Sequence, residues 1–258
     1  MSSALHAEWA KQRTIASTRW LLCSSIGLII GLASLVALAS TYTTTGSGQD
    51  ITKLSLTGIL LGQAIIAILA VLTISDEYST GMIRVTLTAM PRRRDVLSAK
   101  AAILTALVLA AGTVAVPGSL LAGRLILPAN GFTAAHGYPL LSLSHGPTLR
   151  AAVGSVLYLV LIGLFRLGIA TAVRESASAI GTVLGLLYLF PILAHLVNDP
   201  NLQRHLEQIA PMTAGLAIES TTNLHKLPIA PWAGLAVLAG WATAALLAGG
   251  LLLKRRDA

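Results

Sequence analysis

Six long runs of apolar residues, at 21–39, 54–75, 101–121, 151–173, 177–197 and 232–253, constrain this chain more than any other feature. Crossing a hydrocarbon layer ~30 Å thick takes about 20 residues of helix at ~1.5 Å per residue, and each run meets that length. Five contain no Asp, Glu, Lys or Arg, and the fourth contains only Arg166. Leu, Ala, Ile and Val occur all round rather than in period-two alternation, which predicts helices and not barrel strands. The expected fold class is therefore all-α: a polytopic membrane protein with six transmembrane helices. Composition agrees, since 11% of the residues are charged where a soluble domain has about 25%. A water-soluble globule is excluded. Cys23 is the single cysteine, which excludes a disulfide framework and a Cys-rich metal site.

A net charge of +8 would raise nucleic acid as a partner in a soluble protein. Here position matters more than sum, because Lys and Arg report topology. With the N-terminus inside, twelve basic residues fall in inside segments and five in outside segments. The expectation is a multi-pass protein of the cytoplasmic (cell) membrane, with both termini cytosolic, a lipid bilayer around it and no nucleic-acid partner. The first span imitates a signal peptide, with Lys11, Arg13 and Arg19 before it, but it exceeds the usual apolar length of about 7–15 residues and reads as a retained anchor.

No soluble domain interrupts the spans, so 1–258 reads as one membrane domain. Residues 1–20 form a cytosolic amphipathic lead-in, with Trp9 and Trp20 suited to the interface. The one sizeable internal loop is 76–100. The outer loop 198–231 has Leu202, Leu206, Ile209, Met212, Leu216 and Ile218 at near-helical spacing, divided by Pro211, which predicts short helices at the outer interface. Arg174, Glu175 and Ser176 make so short a turn that spans four and five must be antiparallel neighbours. Glycine pairs at GxxxG spacing occur as Gly27/Gly31, Gly58/Gly62 and Gly181/Gly185, and Gln63 beside the second is a candidate interhelical hydrogen bonder.

The chain lacks a Walker A loop, an HExxH pair and a GxSxG elbow. No catalytic, metal or cofactor-binding residue is therefore assigned, and the chain is not expected to be an enzyme. Arg166 is the one intramembrane charge. It either snorkels toward the headgroups or faces a polar cavity where it meets anionic substrate groups.

The internal loop reads DEYSTGMIRVTLTAMPRRRDVLSAK. Met82, Ile83, Leu87 and Met90 share one side of a short helix ended by Pro91, with Arg92-Arg93-Arg94 at headgroup level. Such a helix lies on the interface or docks in a groove of a soluble partner. Here the chain resembles the permease subunits of bacterial ABC exporters of the ABC-2 class, particularly actinobacterial ones. The likeness rests chiefly on Glu77-Tyr78, Thr80-Gly81, Ile83-Arg84, Leu87, Pro91-Arg92-Arg93, Val96-Leu97 and Ala99-Lys100. Glu8-Trp9, Gly168, Arg174, Pro211, Ala214-Gly215, Ala217-Ile218 and Arg255-Arg256 extend it over nearly the whole chain.

The resemblance implies an ABC-2 (type V exporter-like) fold and a half-transporter that pairs with a second permease chain, identical or different. It also implies a cytosolic ABC ATPase that holds the ATP, so that this chain has no cofactor of its own. Glu77, Tyr78, Gly81, Met82, Ile83, Arg84, Leu87, Arg92 and Arg93 would couple to the ATPase, with Arg174 and Glu175 as a smaller contact. Gln63 and Arg166 are the candidate substrate-path residues. Lipids, hydrophobic drugs and peptides are the substrate classes the family allows. A non-transporting membrane assembly or immunity factor is the alternative from another class, and an intramembrane enzyme a more distant one.

Overall fold

A computed structural model describes residues 2–43, 48–79, 82, 93–173, 175–196 and 199–255. Among them the secondary structure is helical, without strands. Six helices are long and apolar enough to cross a membrane, as befits a multi-pass membrane protein.

Helix α1 (Ser2–Thr14) runs through Ile15 into α2 (Ala16–Ala39). A short α3 (Ile51–Leu56) leads into α4 (Ile59–Ser79), and together they supply the second span. Helix α5 (Arg93–Ile126) is followed by the fourth and fifth spans, α6 (Gly146–Val173) and α7 (Ser176–Leu196). The outer connection is built from α8 (Pro200–Ile209) and α9 (Pro211–Leu216), and α10 (Pro231–Arg255) closes the bundle. Pro211, which cannot continue α8, sits instead in the first turn of α9 where its missing N–H is harmless. Helices α8 and α9 fall where the spacing of Leu202 to Ile218 predicts short helices.

Five of the six spans are longer than their apolar cores, the fifth being the exception. The third candidate span covers Asp95–Asn130, against the expected 101–121, and is about 50 Å long at 1.5 Å per residue. Lys100 and Arg124, which bound the apolar run, lie inside this helix. Charge ends a hydrophobic run without ending a helix, so the internal loop expected at 76–100 shortens at both ends. Helix α4 reaches Ser79 and α5 begins at Arg93.

Burial separates centre from periphery. In the second and fourth spans 61% of the apolar stretch is buried, against 33% in the third and 22% in the first, fifth and sixth. Helices α4 and α6 therefore form the core, and α2, α5, α7 and α10 surround it. Glycine allows two of the closest approaches. A Cβ on Gly58 would fall 2.0 Å from the Ile29 carbonyl oxygen, and one on Gly168 would fall 2.4 Å from the Ala245 carbonyl carbon. Of the three GxxxG pairs, Gly58/Gly62 packs against Ile29, whereas Gly27/Gly31 and Gly181/Gly185 have nothing within 4 Å of an added Cβ.

Helix α1 departs from the amphipathic lead-in in one respect. Its buried positions, Glu8 and Gln12, are polar and one turn apart, while Trp9 and Trp20 are exposed as interface residues would be.

Candidate functional site

Polar groups sealed inside an apolar bundle mark where this fold departs from simple packing. The principal cluster lies between α4, α6, α7 and α9. Gln63, fully buried on α4, accepts a hydrogen bond at Oε1 from the Tyr158 hydroxyl of α6. Its amide nitrogen donates to the Leu60 carbonyl at 3.0 Å and lies 3.3 Å from Met212 Sδ of α9. The Tyr188 hydroxyl of α7 donates to the same Leu60 carbonyl at 2.9 Å. Arg166, two turns along α6 from Tyr158, donates from Nη1 to the Gln63 carbonyl at 2.6 Å. Gln63 is thus the interhelical hydrogen bonder its sequence position suggested, and the two candidate path residues are in direct contact.

Arg166 does not snorkel: its side chain is 0% exposed. Nor does it open onto a cavity lined by its own guanidinium, since Nε and Nη2 are buried without a hydrogen-bond partner among the described residues. Its hydrogen bond among the described residues is to a helix carbonyl. The physical reason is depth. Its position two turns from the helix end leaves the stem too short to bring the head to water past close-packed neighbours, so the nearest free lone pair holds it.

A second polar knot ties the starts of α3 and α6 to the segment after α9. Asp50 caps α3 by accepting from the Lys53 N–H at 3.1 Å. Its carboxylate also accepts from the Thr221 N–H and hydroxyl and from the Thr222 N–H, the last two at 2.7 and 3.0 Å. Arg150, on the first turn of α6, donates to the Ser220 carbonyl. The segment after α9 is thereby pinned to two spans. Between these contacts stands Glu219, buried, its Oε1 without a hydrogen-bond partner. Burial raises its carboxyl to about 8; Lys53 nearby draws it down and Asp50 pushes it up.

On the opposite side of the bundle, Lys100 of α5 is fully buried. Its Nζ lies 3.0 Å from Glu8 Oε1 of α1 and donates to the Thr73 carbonyl of α4 at 3.1 Å. One ammonium therefore joins the lead-in helix to the second and third spans. Of the expected coupling residues, Tyr78 is partly buried against the main core and Met82 is exposed. Glu77 and Arg93 lie in α4 and α5, with only their backbones described. Gly81, Ile83, Arg84, Leu87, Arg92 and Arg174 lie outside the described residues. Glu175 caps α7: its carboxylate accepts from the Ala177 and Ser178 N–H groups at 3.2 and 3.0 Å. Hydrogen bonding with the Ser178 side chain and backbone holds this exposed carboxyl below the usual carboxylate range.

No protein-family model and no curated protein matches the chain. Function must therefore be read from the residues themselves. Reading the sequence alone left four of them without a role: Tyr158, Asp50, Glu219 and the partnership of Glu8 with Lys100. Glu219 carried a signal, being the lone charge in the apolar stretch 209–222. Asp50 also did, as an N-cap residue just before a helix. Nothing local marks Glu8 and Lys100 as partners across 92 positions.

Proposed function

We propose that this chain is the permease subunit of an ATP-driven exporter of the ABC-2 class, in the cytoplasmic membrane with both termini cytosolic. It works with a second permease chain and a separate cytosolic ATPase. The observation that carries the reading is the sequence from the end of α4 to the start of α5, where Glu77-Tyr78, Gly81, Ile83-Arg84 and Pro91-Arg92-Arg93 occur together between two long apolar runs. Six candidate spans, and a bundle that keeps Gln63, Tyr158 and Arg166 buried in its interior, are in keeping with it.

In this reading the loop transmits nucleotide-driven movement of the ATPase to α4 and α5. Helix α4 carries Gln63 directly, and Gln63 holds Tyr158 and Arg166, so a displacement of α4 reaches the buried cluster through two hydrogen bonds. The Lys100–Glu8 pair makes α1 move with α5.

The test is co-purification with the candidate ATPase followed by ATP-dependent export in sealed vesicles. Replacing Arg84 with Glu, or Gly81 with Trp, is expected to abolish export and the permease-dependent change in ATP hydrolysis while membrane insertion persists. Full export by both variants would reduce the loop to a topology signal and remove the basis for the reading.

A further inference from the structure

A cavity of about 340 Å³ opens between the start of the second span, α8, α9 and the segment after it. That is the size of a small-molecule pocket. Leu60, Met212, Leu216 and Leu227 give it an apolar lining, and three charged side chains reach it: Glu207 of α8, Glu219 and Lys53. Glu207 Oε1 is occupied, accepting from Gln203 at 3.2 Å. Glu219 is 5% exposed, and its Oε1 has no donor among the described residues. A buried carboxylate oxygen without a donor is unfavourable, and native proteins rarely keep one without a use for it. Lys53 influences Glu219 electrostatically without an ion pair between them among the described residues. With both carboxyls ionised, as above about pH 8, two negative charges stand against one ammonium and disfavour an anionic ligand. The described residues also bring together no group of three His, Cys, Asp or Glu side chains fit for a metal.

We propose that this cavity binds a monocationic amphiphile, an ammonium or phosphonium head on an apolar body, with Glu219 as its counter-charge. The apolar lining takes the body and the unpartnered oxygen takes the head. This concerns binding alone and stands whether or not the chain exports.

The chemistry adds a signature. With its carboxyl raised to about 8, Glu219 is mostly protonated near neutrality. Pairing with a fixed cation needs the carboxylate, so binding breaks the Glu219 O–H bond and sends the proton to bulk water. The charged and titratable groups around it are Lys53 and Asp50 at α3, Glu207 on α8, and Arg150 and Tyr158 on α6. Helix α10 carries no charged residue before Lys254. The sign follows. Below about pH 8 the affinity rises with pH, because less proton work is needed, and above it the affinity levels off.

The test uses the full chain in lipid nanodiscs, with empty discs subtracted. The probe is tetraphenylphosphonium, which has no proton of its own to lose, and tetraphenylborate is the control of like shape and opposite charge. Calorimetry in buffers of different ionisation heat is expected to show about nine-tenths of a proton released per cation near pH 7, the fraction set by a carboxyl at about 8. Affinity should rise close to tenfold per pH unit below about 7 and flatten above about 9. Glu219→Gln, of equal size, should weaken phosphonium binding at least about tenfold near pH 8.5 and abolish both pH dependence and proton release. Glu207→Gln should keep both. Equal binding of the borate, wild-type binding without proton release, or a Glu219→Gln variant that binds as the parent does would each overturn the proposal. The wild-type proton count decides even if the variant folds poorly.

Discussion

Replacing Lys100 with Met should free the lead-in helix α1 without unfolding the bundle. Lys100 is fully buried, and its partner Glu8 is 4% exposed. At 3.0 Å two unit charges attract by roughly 5–6 kcal/mol at an effective dielectric of 20. Removing one partner of a buried pair typically costs about 3–5 kcal/mol, because the other is left charged and dry. Glu8 has an escape that a core residue lacks. It lies on a helix of 13 residues joined to α2 at Ile15, so swinging α1 away returns the carboxylate to water. The loss is then capped at the free energy that docks α1, and it should appear as undocking.

The assay is amide exchange in nanodiscs. Protection over 5–14 should fall by about two to three decades in Lys100→Met, that cost expressed as opening equilibria, while protection in α4 and α6 stays within about threefold. Glu8→Gln should give a smaller loss in the same segment, since a neutral amide stays hydrogen-bonded. The reversed pair Glu8→Lys with Lys100→Glu should recover part of the protection. Unchanged exchange in α1 on Lys100→Met would refute the idea that this ion pair holds the helix.

Two further expectations follow from the core. Arg166→Met removes two unpartnered donors and an insertion cost of about 2.5–3.5 kcal/mol, against one charge-assisted hydrogen bond worth about 1.5–3 kcal/mol. Thermal unfolding in detergent should therefore show a protein as stable as the parent, or up to about 2 kcal/mol more so, while export falls at least about tenfold. A loss of stability above about 3 kcal/mol would make Arg166 a structural keystone instead. Gly168→Leu places a side chain against the α10 backbone, where even a Cβ meets Ala245 at 2.4 Å. It should destabilise by about 1–3 kcal/mol or more and expose the α6–α10 seam to thiol labelling of a cysteine introduced there; normal stability would contradict the packing.

The spans were legible because water and hydrocarbon act on each residue separately: twenty apolar residues in a row declare themselves without knowledge of their neighbours. Helices α8 and α9 were legible for a similar reason, since Leu202, Leu206 and Ile209 repeat at helical spacing and Pro211 divides them from Met212, Leu216 and Ile218. What was not legible depends on pairs. Lys100 ends an apolar run and so reads as the rim of a loop. Only its meeting with Glu8, 92 positions away, makes it an interior residue. Arg166 offered two readings from its depth, snorkelling or lining a cavity. The structure buries it, and the lone pair it uses belongs to the backbone of a different helix. Gly58/Gly62 and Gly27/Gly31 are indistinguishable by spacing, yet only the first pair has a helix against it.

Satisfaction of the buried charges separates scaffold from site. Each ionisable group taken out of water is unfavourable unless partners replace its hydration. Lys100 is met by a carboxylate and a carbonyl, and the two contacts link three helices; that is how a structural charge is completed. Arg166 and Glu219 are incomplete. Among the described residues, one uses a single donor nitrogen and leaves two without partners, and the other buries an oxygen without a hydrogen-bond partner. Both lie within electrostatic reach of Tyr158, whose hydroxyl ends on Gln63. Tyr158 and Gln63, themselves hydrogen-bonded, stand between the two incomplete groups, Glu219 in the segment after α9 and Arg166 on α6. Under the proposed function the incomplete groups are where a ligand would find partners, and the completed pair at α1 is what would hold the frame around them.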